Sequence, residues 1–144
     1  MNRYLFTLLA TIVTIFTQCD TLKGLPTNTS GNLFSLNGSW RLESTSDNGA
    51  MVGTVVQVFP GISDATVRTL SNNNYCLRER DVIWRNLKSY QGGTFSLDNL
   101  VNACNGNVYY AGTLTAISND EIRITGKTTN NTELIQTFRR VQNQ

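Results

Sequence analysis

The chain contains no histidine. That absence removes the commonest general base, the commonest metal ligand and the side chain whose ordinary pKa lies near neutrality, so most hydrolytic triads and zinc sites are excluded. Lysine is scarce as well. Lys23, Lys88 and Lys127 are the whole set, and none stands in a Ser-x-x-Lys arrangement, which leaves a serine nucleophile without its alternative base. No Gly-rich phosphate loop, Cys-x-x-Cys pair or nucleophile elbow occurs. Charged residues make up 15% and the formal net charge is +2, which offers no electrostatic footprint for nucleic acid. These gaps predict a protein without catalytic residues, metal or cofactor. A length of 144 residues is one domain's worth of chain.

Long apolar runs are missing too. The uncharged stretch Tyr4 to Phe16 follows Arg3; about thirteen residues of helix reach roughly 20 Å, short of a hydrocarbon core of about 30 Å. A basic start and a short apolar body have the form of a signal peptide. Phe16-Thr17-Gln18-Cys19 then follows with no small-x-small cleavage site nearby. This segment resembles a bacterial lipoprotein signal, with Phe16 and Gln18 where that family most often has Leu and a small residue. The resemblance implies a signal peptide over residues 1–18 and acylation, as by palmitate, of Cys19 as the first mature residue. It also implies a place in the bacterial cell envelope, on the outer membrane or facing the periplasm, with the membrane contacted through lipid alone. Without lipid on Cys19 the chain would be secreted.

Three cysteines are an awkward number in an oxidising compartment, where a leftover thiol needs a partner. If Cys19 carries lipid, Cys76 and Cys104 can pair, closing a loop that the chain-entropy model values at about 3.6 kcal/mol. The alternative is two buried free thiols. Residues 19–33 are dominated by Thr, Asn, Gly and Ser around Pro26, a composition unable to bury enough apolar area to offset the entropy of ordering. They read as a flexible tether ahead of a domain at 34–144.

Within that domain, short β-branched and aromatic runs alternate with turn clusters such as Ser46-Asp47-Asn48-Gly49, Pro60-Gly61 and Asn105-Gly106-Asn107, and helical periodicity is absent. The pattern predicts an all-β domain with strands near 39–45, 52–59, 65–70, 75–79, 82–90, 94–97, 108–117, 121–127 and 133–141. Eight or nine strands joined by tight turns suggest an antiparallel up-and-down meander, and closing it into a small barrel removes both exposed edges. Alternation puts Trp40 and Leu42 opposite Arg41 and Glu43, Phe95 and Leu97 opposite Thr94 and Ser96, and Ile122 and Ile124 opposite Arg123 and Thr125. Val108, Tyr110, Leu114 and Ala116 share a face with Gly112, where a missing side chain lets a closed sheet bend. The run Val55 to Phe59 and the segment at Ile83 and Trp84 are apolar on both faces.

Gly38-Ser39-Trp40 resembles the Gly-x-Trp opening of lipocalins, and Gln136 to Val141 resembles their closing strand, in which an arginine lies over that tryptophan. The likeness is to the short lipocalin-like domains of bacterial envelope lipoproteins and runs from about Leu36 to Val141. It implies a structural motif of Gly38, Trp40 and an arginine. Arg140 is favoured over Arg139, because Phe138 and Arg140 share a face by period two. Trp and Arg together suit the end of a barrel, where an indole supplies apolar area and a guanidinium stacks on it.

Two carboxylate pairs, Glu79 with Asp81 and Asp120 with Glu121, read as solvated surface charge. The aromatic set Trp84, Tyr90, Phe95, Tyr109 and Tyr110 is the candidate lining of a ligand pocket, set against the ordinary reading of packing, since an eight-stranded barrel is just wide enough for side chains or one small ligand. The expectation is a non-enzymatic, lipid-anchored envelope protein whose barrel binds a small hydrophobic ligand or serves as an interaction module. The alternative is a small β-barrel proteinase inhibitor of the periplasm or cell surface.

Overall fold

A computed structural model describes residues 34–142; the signal peptide read at 1–18, the lipidation site Cys19 and the tether at 19–33 lie outside the described residues. Eight strands follow one another: β1 (Gly38–Thr45), β2 (Val55–Val58), β3 (Ala65–Thr69), β4 (Val82–Ser89), β5 (Thr94–Asn102), β6 (Val108–Ala116), β7 (Glu121–Lys127) and β8 (Glu133–Arg140). Each pairs antiparallel with its neighbour in sequence, and β8 returns to β1 to close the barrel. Closure satisfies the backbone of both would-be edges. The fold class is the one the turn spacing predicts.

Up-and-down topology fixes which connections share an end. At the entry end lie the start of β1, the β2–β3, β4–β5 and β6–β7 turns, and the finish of β8. The other four connections lie at the far end. Along the strands, every second residue points inward: Trp40 and Leu42 on β1, Val56 and Val58 on β2, Ala65 and Val67 on β3, Ile122 and Ile124 on β7, and Leu134, Gln136 and Phe138 on β8 are all buried. The run 55–59, apolar on both faces, is thereby oriented. Trp84 meets Phe138 edge-on across the interior, centroids 5.1 Å apart. Each such large apolar side chain contributes about 1.5–3 kcal/mol on burial.

Both ends are covered. Phe34 lies 6.3 Å from Trp40 and 6.1 Å from Phe95 at the entry end. At the far end Ala50 and Met51 of the β1–β2 connection and Tyr75 and Leu77 of the β3–β4 connection are buried in the same core. Cys76 is bonded to Cys104, which staples the β3–β4 connection to the turn after β5.

Three strand expectations are corrected, the first at 52–59, where the strand is only Val55–Val58 and Val52 and Gly53 belong to the preceding turn. Residues 75–79 form no strand. Cys76 and Arg80 adopt positive φ, and the Asn73 side chain accepts a bond from Leu77 N and donates one to Leu77 O, so Tyr75 and Leu77 reach the core from a loop. The strand expected at 94–97 runs on to Asn102, because Asn99, Leu100 and Asn102 continue the ladder to β6. Residues 108–112 of β6 pair with β5 but precede the register with β7, which begins at Thr113. Val108 and Tyr110 therefore stand exposed, while Leu114 and Ala116 of the same face are buried.

Candidate functional site

The entry end is built around one arginine. Strand register sets Trp40 beside Arg140, and the guanidinium carbon lies 4.2 Å from the centre of the indole. Arg140 Nε donates to Asn119 O at 2.8 Å, Nη1 to Asn37 O at 2.7 Å and Nη2 to Ser35 O at 2.6 Å. One side chain thus ties the incoming segment, the β6–β7 turn and the last strand together. Trp40 Nε1 donates to Leu36 O at 2.8 Å, which finishes the plug. Burial pushes the Arg140 guanidinium below its usual range, opposed by the Asp120 carboxylate. Gly38 has φ of +122°, and a Cβ there would lie 3.0 Å from Arg140 Nη1, so glycine is the residue that fits. Arg139, by contrast, is exposed and pairs with Glu121 at 3.3 Å.

A polar link crosses the interior. Asn99 on β5 and Gln136 on β8 are both buried, and Asn99 Nδ2 donates to Gln136 Oε1 at 3.0 Å. The two strands between them carry glycines, Gly112 on β6 and Gly126 on β7. A Cβ on Gly126 would come 3.7 Å from Gly112 Cα, and one on Gly112 would come 3.1 Å from Thr125 O. Trp84 Nε1 and Asn99 Oδ1 have no partner among the described residues. Sequence reasoning passed over Asn99 and Gln136, though each is a polar residue at an inward position between apolar ones.

The five aromatic candidates are not brought together. Trp84 is fully buried at the centre, Phe95 is half-buried beside Phe34, and Tyr90 is 59% exposed in the β4–β5 turn. Tyr109 is half-buried against the core; its hydroxyl donates to Val82 O at 2.7 Å and the Arg85 guanidinium sits 3.9 Å over its ring. Burial pushes its phenol up, with Arg85 opposing. Tyr110 borders a surface groove with Lys127 and Glu133. Tyr109 and Tyr110, adjacent in β6, alternate to opposite faces and Tyr90 falls in a turn, which is why five aromatics read as one lining are dispersed.

A surface groove of about 670 Å³ runs along the outside of β1 to β3 near the entry end and is lined by Ser39, Gln57, Phe59, Arg68 and Arg140 among others. In it Arg68 Nη1 donates to Ser39 Oγ at 3.0 Å, and Ser39 donates onward to Gln57 Oε1. Of the acidic pairs, Asp120 lies 3.7 Å from Arg140 and Glu121 faces Arg139. Among the described residues no cluster of three metal-ligating side chains occurs, and no helix is long and apolar enough to cross a membrane. Compared with protein families, curated proteins and solved structures, the chain matches none.

Proposed function

We propose that the chain is a lipid-anchored, non-catalytic lipoprotein of a bacterial cell envelope, with a lipocalin-like barrel that acts as an interaction module. The observation that carries this reading is the occupied interior. Trp40, Trp84 and Phe138 are buried inside the wall, and a barrel of eight strands accommodates either such side chains or one small guest. A carrier of hydrophobic molecules would have to displace them. Function is therefore sought on the outer wall and at the ends.

Support for anchoring comes from the apolar run before Cys19 and from cysteine parity, since Cys76 and Cys104 are joined to each other. Support for a non-catalytic role comes from the lack of histidine and from the engagement of Asp120 and Glu121 by arginines. The test is the mass of the mature chain recovered from membranes. The expected result is a chain beginning at Cys19 with acyl groups attached, and a Cys19→Ser chain that leaves the membrane fraction. An unmodified Cys19 in the mature chain would contradict anchoring.

A further inference from the structure

Four large apolar side chains stand in water at the entry end: Phe59 at 48% exposure, Ile62 at 53%, Tyr90 at 59% and Ile117 at 47%. They come from three different connections, β2–β3, β4–β5 and β6–β7, which the topology brings to one rim. Each is held in place. Ile62 N donates to Phe59 O across a turn with Pro60 and Gly61 at its centre, Gly61 having the positive φ such a turn needs. Tyr90 N donates to Thr94 O, and Ile117 N to Glu121 O. The described chain also starts at this end, with Phe34. Residues 19–33 are all that separates it from Cys19, a contour of roughly 50 Å at full extension.

We infer that this rim docks on a lipid surface, seating Phe59, Ile62, Tyr90 and Ile117 at the membrane interface. The inference rests on the proposed anchoring, because a chain held at Cys19 keeps its entry end, where the tether joins, within about 50 Å of the bilayer. Aromatic and branched apolar side chains on rigid turns suit the interface, where a tyrosine ring keeps its hydroxyl wet. Charge adds a smaller part. Around the rim Arg139 is matched by Glu121 and Arg140 by Asp120, leaving Arg68 beside Phe59, Arg123 and Lys88 against Asp64, a small positive excess. Docking is thus driven chiefly by apolar contact and depends only weakly on salt.

The experiment uses the chain from residue 19 on vesicles of phosphatidylethanolamine and phosphatidylglycerol, some carrying lipids brominated near the carbonyl. One arm holds the chain by its own acyl groups; the other holds a Cys19→Ser chain by an N-terminal histidine tag on a chelating lipid. Tyr90→Trp reports the rim and Tyr110→Trp the exposed far part of the wall, each read as the difference from its parent. The expected result in both arms is quenching of the rim reporter about threefold stronger than that of the wall reporter, retained for the most part at high salt. Equal, weak quenching in the tagged arm overturns the docking, whatever the mass of Cys19 shows. An unmodified Cys19 with strong rim quenching in the tagged arm overturns the anchoring and leaves the docking standing. A dimer in solution that Ile62→Ser with Ile117→Ser dissociates would assign the rim to a second copy instead, and would also overturn it.

Discussion

Arg140 lies face to face with Trp40, 4.2 Å from the ring centre, while its three nitrogens hold the carbonyls of Ser35, Asn37 and Asn119. The contact joins the first and last strands, whose pairing closes the barrel. Cork and clasp are one arrangement. A single change at Arg140 therefore loosens the incoming segment and the β6–β7 turn together.

Arg140→Ala is expected to cost about 2–4 kcal/mol in urea unfolding, since it removes charge-assisted bonds to three carbonyls and the stacking on Trp40. Arg140→Lys recovers little, because an ammonium has no planar fork to span three acceptors. Arg139→Ala, at an exposed ion pair, changes stability by less than about 0.5 kcal/mol. Equal losses at 139 and 140 would refute the assignment.

Asn99 and Gln136 form a buried amide pair, so the two single replacements and the double one should differ in kind. Asn99→Leu or Gln136→Leu leaves a polar group alone in the interior and costs about 1–3 kcal/mol. The double replacement removes both groups and costs less than the sum. A double-mutant cycle in chemical denaturation checks it; strict additivity would mean that the bond contributes nothing.

Tyr75 donates its hydroxyl to Asp47 Oδ2 at 2.7 Å, and burial first, then that carboxylate, pushes its phenol well above the usual value of 10.0. The folded state thus favours the neutral phenol. Its contribution to stability is complete below pH 10 and is lost as pH rises from there toward the folded pKa, at up to about 1.4 kcal/mol per pH unit. Tyr75→Phe should be less stable near neutrality and lose less between pH 10 and pH 12. Parallel curves for the two chains would exclude a protected Tyr75.

Opening Cys76 to Cys104 by a double alanine replacement is expected to cost about 3 kcal/mol. The bond joins the β3–β4 connection to the turn after β5, so faster amide exchange should appear first around Tyr75 and Leu77. Uniform acceleration over all eight strands would show instead that the bridge supports the barrel as a whole.

Much of this architecture is legible in the residues. Alternation at Trp40 and Leu42 and at Ile122 and Ile124 reports the inward face directly, and period two singles out Arg140 over Arg139. The failures have physical causes. Tyr75 and Leu77 alternate as in a strand, but alternation reports burial, and a loop bent by positive φ at Cys76 buries the same two side chains. Leu100 and Val101 are both buried, so β5 shows no period two where it runs past Leu97. Tyr110 shares a face with Leu114, yet its exposure depends on where β7 stops, which no local pattern encodes.

The central claim is that this barrel is a solid body that works from its outside. Titrating the chain with fatty acids, retinoids and haem while following the emission of Trp40 and Trp84 tests it most directly. The account predicts no saturable change with any of them. Saturable quenching at one molecule per chain, lost when Trp84 is replaced by Phe, would contradict it.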